Sequence, residues 1–391
     1  MRLVEASKMF KKLIVVFFGT FFIFFLATEG WPSIKKDFFP ETVPPAPILY
    51  KFNPISFSVA KQFGTGENGI DISNAKIVYR RNALQDWNSL KSKQSKLYTY
   101  DFNVFKDIDY RSTARGIADF LGYEDANLIS DAELNNDYVW TKNNITFTIN
   151  KNDQEMRQVL PNGEIAPFKN FFSSGEFLSA DYARQKAKEM MTASKKFTTE
   201  EINKAVYEGE FYKFEGSNLI ESPNLSAEVA FIKPYLTLDN KKIVGKVYEI
   251  PQSLFFIGSL RPEIASTYKN YRYPTFKISK NRTTEAFKGE NFDLTPIPTA
   301  VNNVINNKYF VIAGLYFSNA PLGADLPANL KIENISLETV EVGIYDDLEK
   351  GIIKNDILQP IYIFKGFFDT PNGQRGRIIL YTPAIDPKYY N

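Results

Sequence analysis

Between Leu13 and Ala27 the chain reads LIVVFFGTFFIFFLA, an uncharged run. It restricts the possible folds strongly, because it lacks the polar face that a surface helix needs. As a helix it rises only about 22 Å, against roughly 30 Å of bilayer hydrocarbon. Lys11 and Lys12 stand just before it and can snorkel. Thr28 and Gly30 extend it, and Trp31 suits the interface. Phe17, Phe21 and Phe25 recur four apart along it. Arg2, Lys8, Lys11 and Lys12 oppose only Glu5, a bias that keeps the N-terminus in the cytoplasm. The run suits an uncleaved anchor, a cleaved signal core or a buried helix. The best cleavage site, Thr28-Glu29-Gly30, is poor, which favours the anchor. The expectation is a single-pass cell-membrane protein. Residues 1–12 are then cytoplasmic, 13–31 lie in the lipid bilayer, and the rest is extracytoplasmic.

Two absences limit the chemistry. There is no Cys, so no disulfide framework, and cores must be large enough to do without one. There is no His, which removes histidine triads, imidazole zinc sites and the usual general base. Carboxylate pairs, a Ser-Lys dyad and oxygen-ligand Ca²⁺ sites remain open. With 47 basic and 45 acidic residues, nothing points to nucleic acid. The 34 Phe and 22 Tyr fit packed β-structure or an aromatic binding surface.

Residues 32–48 are Pro-rich, with Pro40, Pro44, Pro45 and Pro47, and suit a semi-rigid spacer or an irregular arm. Beyond them the pattern suggests three domains, 49–165, 166–290 and 291–391. In the first, Ile55–Val59, Ala75–Tyr79 and Leu97–Phe102 alternate as strands do. Ala114, Ile117, Ala118 and Leu121 make one helix face, capped by Gly122. Tyr138–Trp140 and Asn144–Asn150 then pair across Lys142-Asn143. In the second, Ser179 caps a helix with Ala183, Ala187, Met190 and Met191 inward, and Thr198 and Glu201 have capping-box spacing. Strands follow at Glu210–Phe214, Ala227–Ile232 and Lys246–Ile250. In the third, a short helix carries Val301, Val304 and Ile305. Strands follow at Phe310–Phe317 and Thr339–Tyr345, then a hairpin of Gln359–Phe367 and Arg377–Tyr381 across Pro371-Asn372-Gly373. The expected fold class is α+β: repeated helix-on-antiparallel-sheet units outside the membrane, with one N-terminal transmembrane helix.

The C-terminal pattern, in Val342–Tyr345, Asp346, Asp347, Leu358–Gly366 and Tyr381–Ile385, resembles that of YycH/YycI-type proteins and related PepSY-like modules. Those are single-pass extracytoplasmic regulators associated with a sensor kinase. The resemblance covers about the last 100 residues. It implies a non-enzymatic regulatory or protein-binding role in the bacterial cell envelope, with another envelope or membrane protein as partner. It transfers no catalytic residue and no cofactor.

Several clusters carry a chemical reading beside a plain one. Asp346-Asp347, with Glu349, fits a Ca²⁺ site, but without the Asp-x-Asp-x-Asp-Gly loop a solvated turn fits better. Ser173-Ser174-Gly175 and Ser194-Lys195-Lys196 place serines near lysine without a partner motif. Gly64–Gly69 lacks the Lys of a P-loop. In the C-terminal hairpin, alternation puts Ile361, Ile363 and Lys365 on one face, expected against the helix of Val301 and Ile305. Tyr362 and Phe364 fall on the other, as a candidate partner surface or under a second layer. The leading expectation is a membrane-anchored, non-enzymatic binding or scaffolding protein. The alternative is a histidine-independent enzyme acting on cell-wall or exported substrates.

A chain with neither His nor Cys should melt at the same temperature with and without EDTA or a reductant. A large drop in EDTA would reveal an oxygen-ligand metal site.

Overall fold

The computed structural model describes residues 69–80, 94–100, 110–124, 128–130, 137–151, 154–160, 169, 172, 178–223, 226–245, 247–248, 253–258, 261, 273, 275–278, 287–307, 310–317, 326–327, 329–346 and 357–386. The elements begin with β1 (Lys76–Tyr79), β2 (Gln94–Tyr100), α1 (Tyr110–Phe120), β3 (Leu128–Ser130), β4 (Asp137–Lys142), β5 (Ile145–Asn150) and β6 (Met156–Val159). They continue with α2 (Ala180–Ala193), α3 (Thr199–Lys204), β7 (Val206–Glu215), β8 (Asn218–Glu221), β9 (Val229–Tyr235), β10 (Thr237–Leu238), β11 (Lys241–Val244), β12 (Ser253–Gly258) and β13 (Thr275–Ile278). The last are β14 (Phe287–Asp293), α4 (Ile297–Asn307), β15 (Val311–Phe317), β16 (Asn334–Tyr345), β17 (Ile357–Asp369) and β18 (Arg375–Pro383).

The strands form two nine-stranded sheets. One runs β10-β11-β16-β17-β18-β15, with β1 on β16 and the β2–β14 pair on β17. The other runs β3-β4-β5-β6-β13-β12-β9-β7-β8. Most pairs are antiparallel, but β1 and β11 both run parallel to β16. This corrects the expected α+β class of repeated helix-on-sheet units with a transmembrane helix. The described chain is mostly β, and its strands pool into two sheets. The first sheet crosses both boundaries, drawn at 165 and 290, and the second crosses that at 165. Thus β6 pairs with β13, and β1 pairs with β16. Alternation is a local property that marks a strand but does not choose its partner. Among the described residues no helix is long and apolar enough to cross a membrane. Lys11, Lys12, the run Leu13–Ala27 with Phe17, Phe21 and Phe25, then Trp31, and the strand expected at Ile55–Val59, lie outside the described residues.

Local signals place the helices. In α1, Ala114, Ile117 and Ala118 are buried, and Gly122 follows at φ +91°. Ser179 caps α2 by accepting from the Tyr182 N–H, and the Thr198–Glu201 capping box starts α3. All three pack in one core with β5, β6, β9, β12 and β13. That core also takes in Ile344 and Leu358 of the first sheet, so the two sheets share apolar contacts. The β4–β5 turn lies one residue later than expected, at Asn143-Asn144, with φ of +53° and +62°. Of the strand expected at Lys246–Ile250, Val247 and Tyr248 are described and are not in a strand; upstream lies β11, reached from β10 through Asp239 and Asn240 at positive φ.

The β17–β18 hairpin forms as expected, with Gly373 at φ +77° in its turn. Its faces are the reverse of the expectation. Tyr362 and Phe364 pack with Ala300, Val301 and Val304 of α4, and the Tyr362 hydroxyl donates to the Thr295 carbonyl at 2.5 Å. Ile361 and Ile363 pack instead with Tyr235, Val244 and Tyr248. With Tyr362 2% exposed and Phe364 fully buried, this pair is not a partner surface. The helix covers the aromatic face because α4 meets the strand there, a placement that a period of two cannot specify.

Ile363→Ala and Tyr362→Ala should therefore destabilise comparably, by about 2–5 kcal/mol each. Denaturant unfolding measures this, and a Tyr362→Ala variant with wild-type stability would contradict the two-sided burial.

Candidate functional site

Where β7 of the second sheet faces β17 and β18 of the first, a cleft of about 410 Å³ opens. Alternation builds both walls. On β7, Val206, Glu208, Glu210, Tyr212 and Phe214 share a face that is apolar at both ends and charged in the middle. On β17, Ile361, Ile363, Lys365 and Phe367 share the facing side. Register then sets Thr339 of β16 beside Lys365, Arg377 of β18 opposite Phe367, and Tyr316 of β15 opposite Arg377. At Gly366 a Cβ would lie 2.1 Å from the Ser336 carbonyl oxygen, so no larger residue fits at that position.

A closed ionic network lies at the inner end. Lys242 Nζ is 2.5 Å from Glu208 Oε1 and 3.0 Å from the Glu341 carboxylate. Lys365 Nζ is 3.1 Å from each of the same two carboxylates. Tyr248 sits between them. Its hydroxyl donates to Glu208 Oε1 at 2.7 Å and accepts from Lys365 at 2.5 Å and from Lys242 at 3.1 Å. The Lys365 ammonium also lies 4.3 Å from the centre of the Tyr248 ring. A backbone bond from Tyr248 N–H to the Ala313 carbonyl, 2.8 Å, holds the tyrosine at this position.

The same pairing continues outward. Buried Lys233 lies 2.7 Å from Glu210, Arg377 lies 2.6 Å from Glu221, and Arg80 lies 3.0 Å from Glu338. Burial alone would raise the Glu208 pKa, but Lys365 and Lys242, with hydrogen bonds from Lys242 and Tyr248, outweigh it and bring the carboxyl down to about 2. Burial would lower Lys242, yet Glu341 and Glu208 hold it above the usual lysine value. Burial first, then Tyr235 and the two glutamates, push the Tyr248 phenol far up. At neutral pH Glu208 is therefore ionised and Tyr248 protonated. Glu208 Oε1 already accepts from two ammoniums and a hydroxyl, and these partners make the whole carboxylate a weak base. Such a group holds structure well and abstracts protons poorly.

The remaining residues singled out by sequence take structural positions. Asp346 is buried and hydrogen-bonded, and its N–H donates to the Val244 carbonyl at 2.9 Å. Asp347 and Glu349 lie outside the described residues. Ser194 closes α2, donating to the Met191 carbonyl at 2.6 Å, and Lys195 takes the left-handed turn conformation. Lys196 donates to the Gln154 carbonyl. Ser173-Ser174-Gly175 and, apart from Gly69, the glycine-rich stretch lie outside the described residues. Sequence reasoning passed over Glu208, Lys242 and Tyr248. The available signal was a charge set within an otherwise apolar alternating face, as at Lys365 in IYIFKGF and Glu208 in VYEGEFY.

No family model matches the chain, and no curated protein does. The resemblance to YycH/YycI-type proteins thus finds no support there. Among solved structures the chain is similar to an uncharacterized protein from Eubacterium rectale. The match has 9% identity, covers 80% of this chain and 86% of that one, and has a TM-score of 0.38.

The network sets a pH dependence. Glu208 is depressed from 4.5 to about 2, so its contribution is fully present above pH 4.5 and is lost as pH falls towards 2. Its partly solvated position leaves about 1–2 kcal/mol. Lys242 is raised, so its contribution persists below the ordinary lysine value and is lost only at more alkaline pH. Unfolding free energies measured from pH 7 to 3 should fall more steeply for the native chain than for Glu208→Gln. Parallel curves would remove Glu208 from the account.

Proposed function

We propose that the chain is a non-enzymatic binding protein that works outside the cytoplasm and holds a protein partner on the outer face of its second sheet. One observation carries this reading. Val159, Leu254, Phe231 and Phe256 converge on a shallow depression of about 270 Å³ between neighbouring strands β6, β13, β12 and β9. Val159 is 42% exposed there, although it lies in the middle of a nine-stranded sheet. Thr275, Arg157 and Lys277 rim the depression. A small apolar depression with a polar border suits one anchoring apolar side chain of a protein partner. Both rim cations pair with Glu155, which leaves the border net positive and favours an acidic partner.

Two further observations support the reading. The ionic groups of the intersheet cleft satisfy one another, which suits a rigid frame better than proton transfer. The uncharged run between Lys12 and Glu29 supports export from the cytoplasm.

The test uses the full chain. Val159→Asp and Leu254→Asp, singly and together, should leave the melting temperature near that of the parent. Recovery of a specifically captured envelope protein should fall at least about tenfold. Capture of the same partner at undiminished yield by the double variant would place the binding surface elsewhere.

A further inference from the structure

We propose that the intersheet cleft is a second binding site, independent of the apolar depression, and that it takes a neutral polyhydroxylated ligand, a stretch of saccharide chain. The first argument is charge. Each cleft carboxylate described above faces a cation of the same chain, so the lining carries strong local dipoles but little net charge. An ionic ligand would have to break one of these pairs, leaving a part-buried charge without its partner. A neutral ligand need only add to them.

The second argument is the set of hydrogen-bonding atoms left over. The three bonds to Glu208 all land on Oε1, and Arg80 meets Glu338 at Oε1. Among the described residues, Oε2 of both glutamates and the Thr339 hydroxyl have no protein partner. Arg377 donates from its two terminal nitrogens, leaving Nε–H. Hydroxyl groups, which both donate and accept, match such a mixed set. Phe367 and Tyr316 add ring surface to the same lining, a surface on which the C–H face of a sugar ring can rest.

The third argument concerns an extended peptide, which β17 does not accept as an added strand. Such a ligand gains affinity by adding a strand to an unpaired edge. Here β17 is paired on both edges by β16 and β18, so that wall of the cleft reads its occupant through side chains. Along the cleft β7 is paired by β9, while β8 joins it only from Tyr212 to Glu215. The cleft's volume is that of a small-molecule site rather than of a protein interface.

The experiment titrates the full chain, free of sugar-based detergent, with soluble probes. These are neutral hexasaccharides of glucose and of N-acetylglucosamine, a sulfated oligosaccharide, and an uncharged Gly-Ser peptide of similar length. Calorimetry should show saturable binding of at least one neutral hexasaccharide. Phe367→Ala and Glu338→Gln, both at the solvent-touched rim, should each weaken it about tenfold or more without lowering the melting temperature. Val159→Asp should leave it unchanged, which separates this site from the protein-binding surface. Saturable binding of only the sulfated sugar or only the peptide would overturn the proposal. So would no saturable binding of any neutral probe at millimolar concentration, or binding indifferent to both rim variants.

Discussion

The structure depends on one strand that has no solvent face over its central stretch. In β17, Ile361, Tyr362, Ile363 and Phe364 are all buried, alternating between two different cores. A strand of this kind must be central and must be covered from both sides. Its edges are occupied by β16 and β18. One face is covered by α4, the other by Tyr235 and Tyr248. The second covering ties the sheets together, because Tyr235 belongs to β9 of the other sheet. Removing either layer would expose large apolar side chains at roughly 25 cal/mol per Å².

The charged cleft lies where this double burial ends. After Ile363 the same face carries Lys365 and then Phe367. β7 shows a matching sequence, with Val206 followed by Glu208 and Glu210. Two apolar faces that diverge must give way to groups that tolerate partial solvation. Ion pairs at such a rim keep some contact with water, so they avoid most of the desolvation penalty of a deeply buried pair. Their geometry fixes the spacing of the sheets more than it adds to stability. The same network that keeps Glu208 ionised also makes its carboxylate a weak base. Rigidity and poor proton transfer thus have one cause.

Much of the local structure was legible in the residues. The face of Ala114, Ile117, Ala118 and Leu121, the Ser179 cap and the Thr198–Glu201 box all mark helices, because a helix satisfies its own backbone within a few residues. The β17–β18 hairpin was legible for the same reason, since Pro371-Asn372-Gly373 closes it locally. The grouping into repeated units was wrong. Each expected unit had its own helix and strands, but β6 seeks β13 more than a hundred residues on, and β1 lies parallel to β16. A strand's edge groups are the same along any chain, so its sequence does not name its neighbour. The Tyr362–Phe364 pair shows the same limit on a smaller scale. Alternation separated it correctly from Ile361 and Ile363, but could not say which face α4 would cover.

The sequence by itself determined the helices and a part of the strands, which of their side chains share a face, and that no imidazole or thiol takes part in any chemistry here. These follow from backbone sterics, the periods of two and 3.6, and composition. Only the tertiary structure decided that the strands pool into two sheets, that both faces of β17 are buried, and that Glu208, Lys242, Tyr248, Glu341 and Lys365 meet. Those five residues span well over a hundred positions of chain. What brings them together is the burial of apolar faces around them, which is non-directional and carries no local signature.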